Sequence, residues 1–316
     1  MPISEIIRPI ANEFAVFEAM FADEMQVIAK PVLGMLDGQE FGKMLRPVLV
    51  MLSAAACGGV VADTYNTAIA VELLHTATLF HDDVVDNAAT RRGLMSLNAK
   101  WGNKSAVLIG DCLLAQAVTR LTRNKNHEIV SDILDATINM GSGELSQMRN
   151  AAMANASEDA YLEIIKNKTA VLLSACCKVG AKTVCAEHEK VEALASYGLN
   201  LGMAFQMRDD MLDYGTAEIG KPLCADLSEG KFTLPLIAHL NTLDDSTRNE
   251  IINDIKNHCN LDCIADEVRR GKGMEYTERA IQNYTGFAIR QLEMLEPSEN
   301  RTALEQLAIY CTVREK

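Results

Sequence analysis

Proline is almost missing from the body of this 316-residue chain. Its seven prolines stand at 2, 9, 31, 47, 222, 235 and 297, so residues 48–221 hold none. A stretch of that length, rich in Ala, Leu, Met and Glu, leaves little room for turns and reads as long helices. Strand-like alternation of polar and apolar residues is nearly absent. The longest uncharged run, Pro47 to Ala62, is broken by Gly58-Gly59 and falls short of the ~20 residues a spanning helix requires. The opening Met-Pro-Ile-Ser-Glu has no basic segment followed by an apolar one, so no secretory signal is read and a cytoplasmic location is expected. Nine cysteines show no metal-ligand spacing, and Cys176 and Cys177 are adjacent. They read as small buried hydrophobes in a reducing compartment.

What is present narrows the class further. A hydrophobic fraction of 48% excludes disorder, and a net charge of −13 makes general nucleic-acid binding a poor fit. Glycines and polar clusters predict helix ends at Gly58-Gly59, Asn87–Thr90, Arg123–Asn126, Asn155–Glu158, Thr216–Gly220 and Asp244–Ser246. Between them apolar residues recur at helical spacing, as in Leu45, Leu49, Leu52, Ala56 and in Ile129, Ile133, Ala136, Met140. Long helices are predicted over 159–179 and 190–214. With no Pro-, Gly- or Ser-rich linker, one all-α domain over residues 1–316 is expected.

The most informative segment ends in His81-Asp-Asp-Val-Val-Asp86. On a helix Asp82 and Asp86 lie one turn apart on one face, with Asp83 beside them. Like charges at that spacing repel, and here they follow an apolar run, where a solvated face is not expected. A divalent cation removes the conflict, and Mg²⁺ takes one or two protein carboxylates with substrate phosphates and water. The pattern returns as Asp209, Asp210 and Asp213, again after an apolar run. One such motif alone reads more readily as a solvated helix end; two change the balance. Facing each other across a bundle, they would frame a pocket for several Mg²⁺ ions and a polyphosphate. Basic residues follow both clusters, Arg91-Arg92 after the first and Lys221 and Lys231 after the second. Such cations suit phosphate oxygens, although neighbouring charges can also simply pair.

Taken together, these residues resemble the trans-polyprenyl diphosphate synthases, the octaprenyl diphosphate synthase type among them. The resemblance rests on Gly42-Lys43-x-x-Arg46-Pro47, His75 with the first cluster, Arg91-Arg92-Gly93, Gly110-Asp111, Lys168-Thr169, Phe205-Gln206 with the second cluster, Gly220-Lys221-Pro222, Asp226, Gly230-Lys231 and Thr233-Leu-Pro235. It implies an isoprenoid-synthase helical bundle with a central substrate cavity. The implied reaction adds isopentenyl diphosphate head-to-tail to an allylic diphosphate after Mg²⁺-assisted ionisation. By the same resemblance Asp82, Asp83, Asp86, Asp209, Asp210 and Asp213 form the metal site, with Asp82, Asp86 and Asp209 as the ligands that bind the ions on the allylic diphosphate. Lys43, Arg46, His75 and Arg92 hold isopentenyl diphosphate. Arg91, Lys168, Thr169, Gln206 and Lys221 contact the allylic substrate, with Lys231 close by, and a homodimer is implied. His75 lies two turns before Asp82 on nearly the same face; alone it would read as a core histidine, as Lys168 would read as a snorkelling lysine.

Two rivals come from other classes. A class I terpene cyclase would lack the second intact cluster and would carry more aromatics than the 5% found here. A non-catalytic partner subunit would have lost aspartates. Product length is read from the residues preceding the first cluster. Short-chain enzymes of the resembling family often close the tunnel with Phe or Tyr at Ala77 or Thr78; here both are small, and Leu74 lies a turn further on. A long-chain all-trans product is therefore expected over a farnesyl or geranylgeranyl one, with Ala77→Tyr shortening it.

Overall fold

Helices make up nearly every regular element of the structure, a computed structural model describing residues 2–29, 35–36, 42–91, 93–215 and 224–313. The N-terminal region comprises α1 (Ile3–Ile6), a 3₁₀ turn (Arg8–Ile10), α2 (Ala11–Ala29), α3 (Leu45–Cys57) and α4 (Ala62–Val85). A small hairpin, β1 (Thr90–Arg91) with β2 (Leu94–Met95), separates α4 from α5 (Leu97–Trp101) and α6 (Asn103–Leu121). Then come α7 (Glu128–Met153), α8 (Glu158–Ile165), a π-helical turn (Lys166–Ala170), α9 (Val171–Thr183) and α10 (His188–Asp213). The C-terminal region holds α11 (Ala225–Ser228), α12 (Leu234–Leu240), α13 (Asp245–Lys256), α14 (Leu261–Arg270), α15 (Lys272–Gln291) and α16 (Glu299–Val313). The all-α expectation holds, and no described helix is long and apolar enough to cross a membrane.

The chain divides into two compact units. The first comprises Met1–Leu134, Cys176–Leu194 and Met294–Leu304. Its centre is α4, whose residues from Thr67 to Leu74 are buried on every side, as a core helix requires. The Val61 backbone N–H donates to the Thr64 hydroxyl (3.1 Å), which also meets the Thr183 hydroxyl at 2.8 Å, fixing the N-terminal end of α4. Helices α3 and α6 pack along α4. On α6, a Cβ at Gly110 would stand 2.3 Å from His81 Nε2, so any larger residue there requires the His81 ring to move. Buried Glu24 of α2 accepts from Arg120 (Nε, 2.8 Å) and Gln116 of α6, tying the N-terminal helix down.

The second unit comprises Asp135–Ala175, Ala195–Glu293 and Glu305–Lys316. Its core gathers Tyr161, Met207, Leu236, Ile237 and Ile281 from α8, α10, α12 and α15. The predicted helix over 159–179 is interrupted: the wide turn at Lys166–Ala170 separates α8 from α9. On α10, Cβ atoms at Gly198 and Gly202 would stand 2.5 Å from the Leu173 carbonyl oxygen and 2.4 Å from Ala170 Cα. That glycine pair allows α10 to lie directly against the wide turn and the start of α9.

Candidate active site

The first aspartate cluster ends α4. Between Thr67 and Phe80 this helix is buried except at His75, Thr78 and Leu79, and the same face continues through half-buried Asp82 to exposed Asp86. These positions recur at three and four residues, so one accessible stripe on a core helix is tipped with two carboxylates. Asp86 closes the helix, its N–H donating to the Asp82 carbonyl at 2.8 Å.

Asp83, grouped with the metal residues by the sequence, sits elsewhere. It is 1% exposed and takes a forked pair from Arg91, whose Nε lies 2.8 and 3.0 Å from its two oxygens and whose Nη2 lies 2.7 Å from Oδ1. The Asp83 carbonyl accepts from Asn98, and the Ser96 hydroxyl donates to the Ala88 carbonyl (2.6 Å), so the hairpin folds back on the helix end. The structure thus engages Arg91 with Asp83, a bidentate geometry suited to fixing a loop. Arg92 lies outside the described residues. Lys43 is exposed and Arg46 half-buried, the latter in the first turn of α3, which packs along α4.

The residues expected to set product length differ in access. Thr78 is half-buried and donates to the His75 carbonyl at 2.8 Å. Ala77 and Leu74 are 1% and 0% exposed, closed over by packing. A tyrosine at Ala77 would overpack the helix interface, so Thr78 takes its place as the position for a test.

In the second unit, Asp210 is 5% exposed. Its Oδ2 accepts from the Tyr161 hydroxyl at 2.7 Å and its Oδ1 from Gln206 Nε2 at 2.8 Å. Gln206 Oε1 in turn accepts from the Thr169 hydroxyl at 2.7 Å. Burial, reinforced by the charge of Asp226, pushes the Asp210 carboxyl up to about 7, against the pull of Tyr161, Gln206 and Lys168. Asp213 is a cap: its two oxygens accept the N–H groups of Ala225 and Asp226, both at 3.1 Å, at the start of α11. Arg269 of α14 donates to the Tyr214 carbonyl (2.9 Å) and to Cys224 Sγ (3.2 Å), adding a second tie between these segments. Asp209 is half-buried on the same turn of α10.

Lys168 stands on the π-turn, pairing with Glu144 and donating to Gln147 at 2.6 Å. Lys231 pairs with Glu229 and lies 3.5 Å from Asp226. Lys221 lies outside the described residues. Tyr161, Glu144 and Gln147 were not singled out from the sequence. Tyr161 is 49 residues from Asp210, and nothing local marks it as a partner.

A divalent cation fits this donor set in a particular way. Among the described residues no three His, Cys, Asp or Glu side chains converge as a ready-made metal cage. Mg²⁺ does not need one, because it is commonly held by one or two carboxylates with substrate phosphates completing its shell. The i, i+4 carboxylates Asp82 and Asp86 supply that kind of partial site.

Comparison with known proteins adds the following. The profile of the polyprenyl synthetase family matches residues 29–276. A short chain isoprenyl diphosphate synthase of Methanothermobacter thermautotrophicus is 33% identical, with 87% of each chain covered. An all-trans-nonaprenyl-diphosphate synthase (geranyl-diphosphate specific) of Rhodobacter capsulatus is 34% identical over 96% of this chain and 95% of its own. The crystal structure of a polyprenyl synthase from Caulobacter crescentus, complexed with calcium and isoprenyl diphosphate, matches with a TM-score of 0.91 at 31% identity, covering 100% of this chain and 98% of that one.

Proposed function

The chain belongs to the polyprenyl synthetase family, and we propose that it joins isopentenyl diphosphate units to an allylic diphosphate to give a long-chain all-trans product. It is a prenyltransferase. The observation that carries the reading is the accessible stripe His75–Thr78–Leu79–Asp82–Asp86 on a helix whose segment from Thr67 to Phe80 is otherwise buried. That stripe offers carboxylates at one end and a small hydroxyl side chain where hydrocarbon would lie. The nonaprenyl relative and the isoprenyl diphosphate complex support this direction.

In this reading Asp82, Asp86 and Asp209 are the residues that would hold Mg²⁺. When bound, the metal neutralises charge developing on the departing diphosphate. The chain's own residues do the rest. Lys168 and Lys231, with Lys221, add positive charge on the allylic diphosphate. Thr169 and Gln206 present fixed polar groups beside them. Lys43, Arg46, His75 and Arg92 hold isopentenyl diphosphate with its double bond free to attack. Apolar surface keeps water from the allylic cation. The proton lost after condensation passes to the released diphosphate. Arg91, engaged with Asp83, serves this scheme by holding the hairpin. The whole chain acts as one isoprenoid synthase domain and pairs as a homodimer. Unpartnered apolar side chains support the pairing: Leu108 on α6 is 63% exposed, and Ile138 and Leu145 on α7 are 67% and 69% exposed.

The test is incubation with labelled isopentenyl diphosphate and geranyl or farnesyl diphosphate in Mg²⁺. The reading expects label in a longer allylic diphosphate, and none in excess chelator. Failure to elongate any primer would refute it.

A further inference from the structure

The second unit carries a polar chain that joins Thr169 and Gln206, which the reaction scheme uses, to Asp210 and Tyr161, which it does not. Thr169 is 8% exposed, Tyr161 3% and Asp210 5%. Their hydrogen bonds converge on Asp210: the Thr169 hydroxyl donates to Gln206 Oε1, Gln206 Nε2 to Asp210 Oδ1, and the Tyr161 hydroxyl to Asp210 Oδ2. Both oxygens of Asp210 and both ends of the Gln206 amide are engaged. Asp210 is therefore a junction where α8, the π-turn and α10 meet. The π-turn carries Lys168, and the turn of α10 that carries Asp210 also carries Asp209.

We propose that Tyr161 is a positioning residue for the allylic half-site, acting through Asp210 and Gln206 to lock the π-turn against the end of α10. This rests on the prenyltransferase reading. The hydroxyl touches no reacting atom in this scheme. It is one of two side-chain donors to a buried carboxylate, and a carboxylate oxygen left without its donor in a dry site shifts to find another. That shift releases Gln206 from its fixed orientation and frees the wide turn that presents Lys168. Wide turns of this type are uncommon and persist where surrounding contacts hold them. Close backbone packing at Gly143, where a Cβ would stand 2.6 Å from the Lys168 backbone nitrogen, confines the turn on its other side.

The experiment is Tyr161→Phe in the full-length enzyme, with each substrate varied separately and thermal unfolding measured alongside. Outer partners that orient functional groups commonly contribute about 10–100-fold. The variant should lose about tenfold or more in kcat/KM for the allylic diphosphate, while the KM for isopentenyl diphosphate stays within about twofold and the protein remains folded. Wild-type kinetics in the variant, or equal losses toward both substrates, would overturn the proposal. Wild-type protein without condensing activity would instead refute the functional reading. The junction is then judged by unfolding of Tyr161→Phe, Asp210→Asn and the double variant: non-additive effects uphold it, and strictly additive effects overturn it.

Discussion

At the residue scale the two aspartate motifs look alike in sequence and differ in use. In the first, Asp82 and Asp86 stay on an accessible face while Asp83 is buried against Arg91. In the second, Asp210 is enclosed by Tyr161 and Gln206, and Asp213 caps α11. Asp82→Asn and Asp209→Asn should therefore each cost orders of magnitude in turnover while circular dichroism still reports a helical protein; near-normal rates in both would contradict the assignment. Loss of one charge-assisted phosphate contact is worth about 1.5–3 kcal/mol. Lys43→Ala and Arg46→Ala should raise the KM for isopentenyl diphosphate accordingly, and Lys168→Ala should weaken allylic substrate use, as steady-state kinetics with each substrate varied will show. Thiol chemistry offers an independent check on burial. Cys176 and Cys177 are 0% exposed, and burial pushes the Cys177 thiol up to about 12. Native protein treated with an alkylating reagent at neutral pH should label Cys112, Cys185, Cys259 and Cys263, which are exposed, and spare that pair until it unfolds.

At the element scale most helices were legible. Gly58-Gly59, Asn87–Thr90, Arg123–Asn126, Asn155–Glu158 and Asp244–Ser246 all fall at or beside observed helix ends, because such residues cap and break helices by local chemistry. Thr216–Gly220 lies outside the described residues. The π-turn was not legible. Apolar residues keep helical spacing on each side of it within 159–179, and what holds it is distant in sequence: Gly143 on α7, and Gln206 on α10. The same holds for Tyr161 and for the Asp83–Arg91 pair, whose hydrogen bonds no local pattern announces. Close helix approach gives this scale its own prediction. Gly202→Ala places a methyl 2.4 Å from Ala170 Cα, a backbone clash that should destabilise the protein by about 1–3 kcal/mol. Chemical denaturation will read the loss; unchanged stability would mean that α10 is not held against the π-turn.

At the scale of the whole molecule, charge and composition excluded more than they specified, and the reaction class became readable only from the set of motifs in order. The apolar residues left on α6 and α7 predict association. Leu145→Glu should shift the sedimenting species from twice the chain mass toward the monomer, and a monomeric wild type would remove the basis for a homodimer. Product length is the central claim. The position on the stripe one turn before Asp82 is Thr78, a small side chain, whereas Ala77 is sealed into packing. Each isoprene unit added along apolar surface gains roughly 25 cal/mol per Å² buried, so without an aromatic stop elongation continues. The most direct measurement is reverse-phase chromatography of the dephosphorylated products formed with isopentenyl diphosphate in excess, for wild type and for Thr78→Phe. The predicted result is a wild-type product longer than geranylgeranyl and a shorter one from Thr78→Phe. A wild-type enzyme that stops at farnesyl or geranylgeranyl diphosphate would contradict the account.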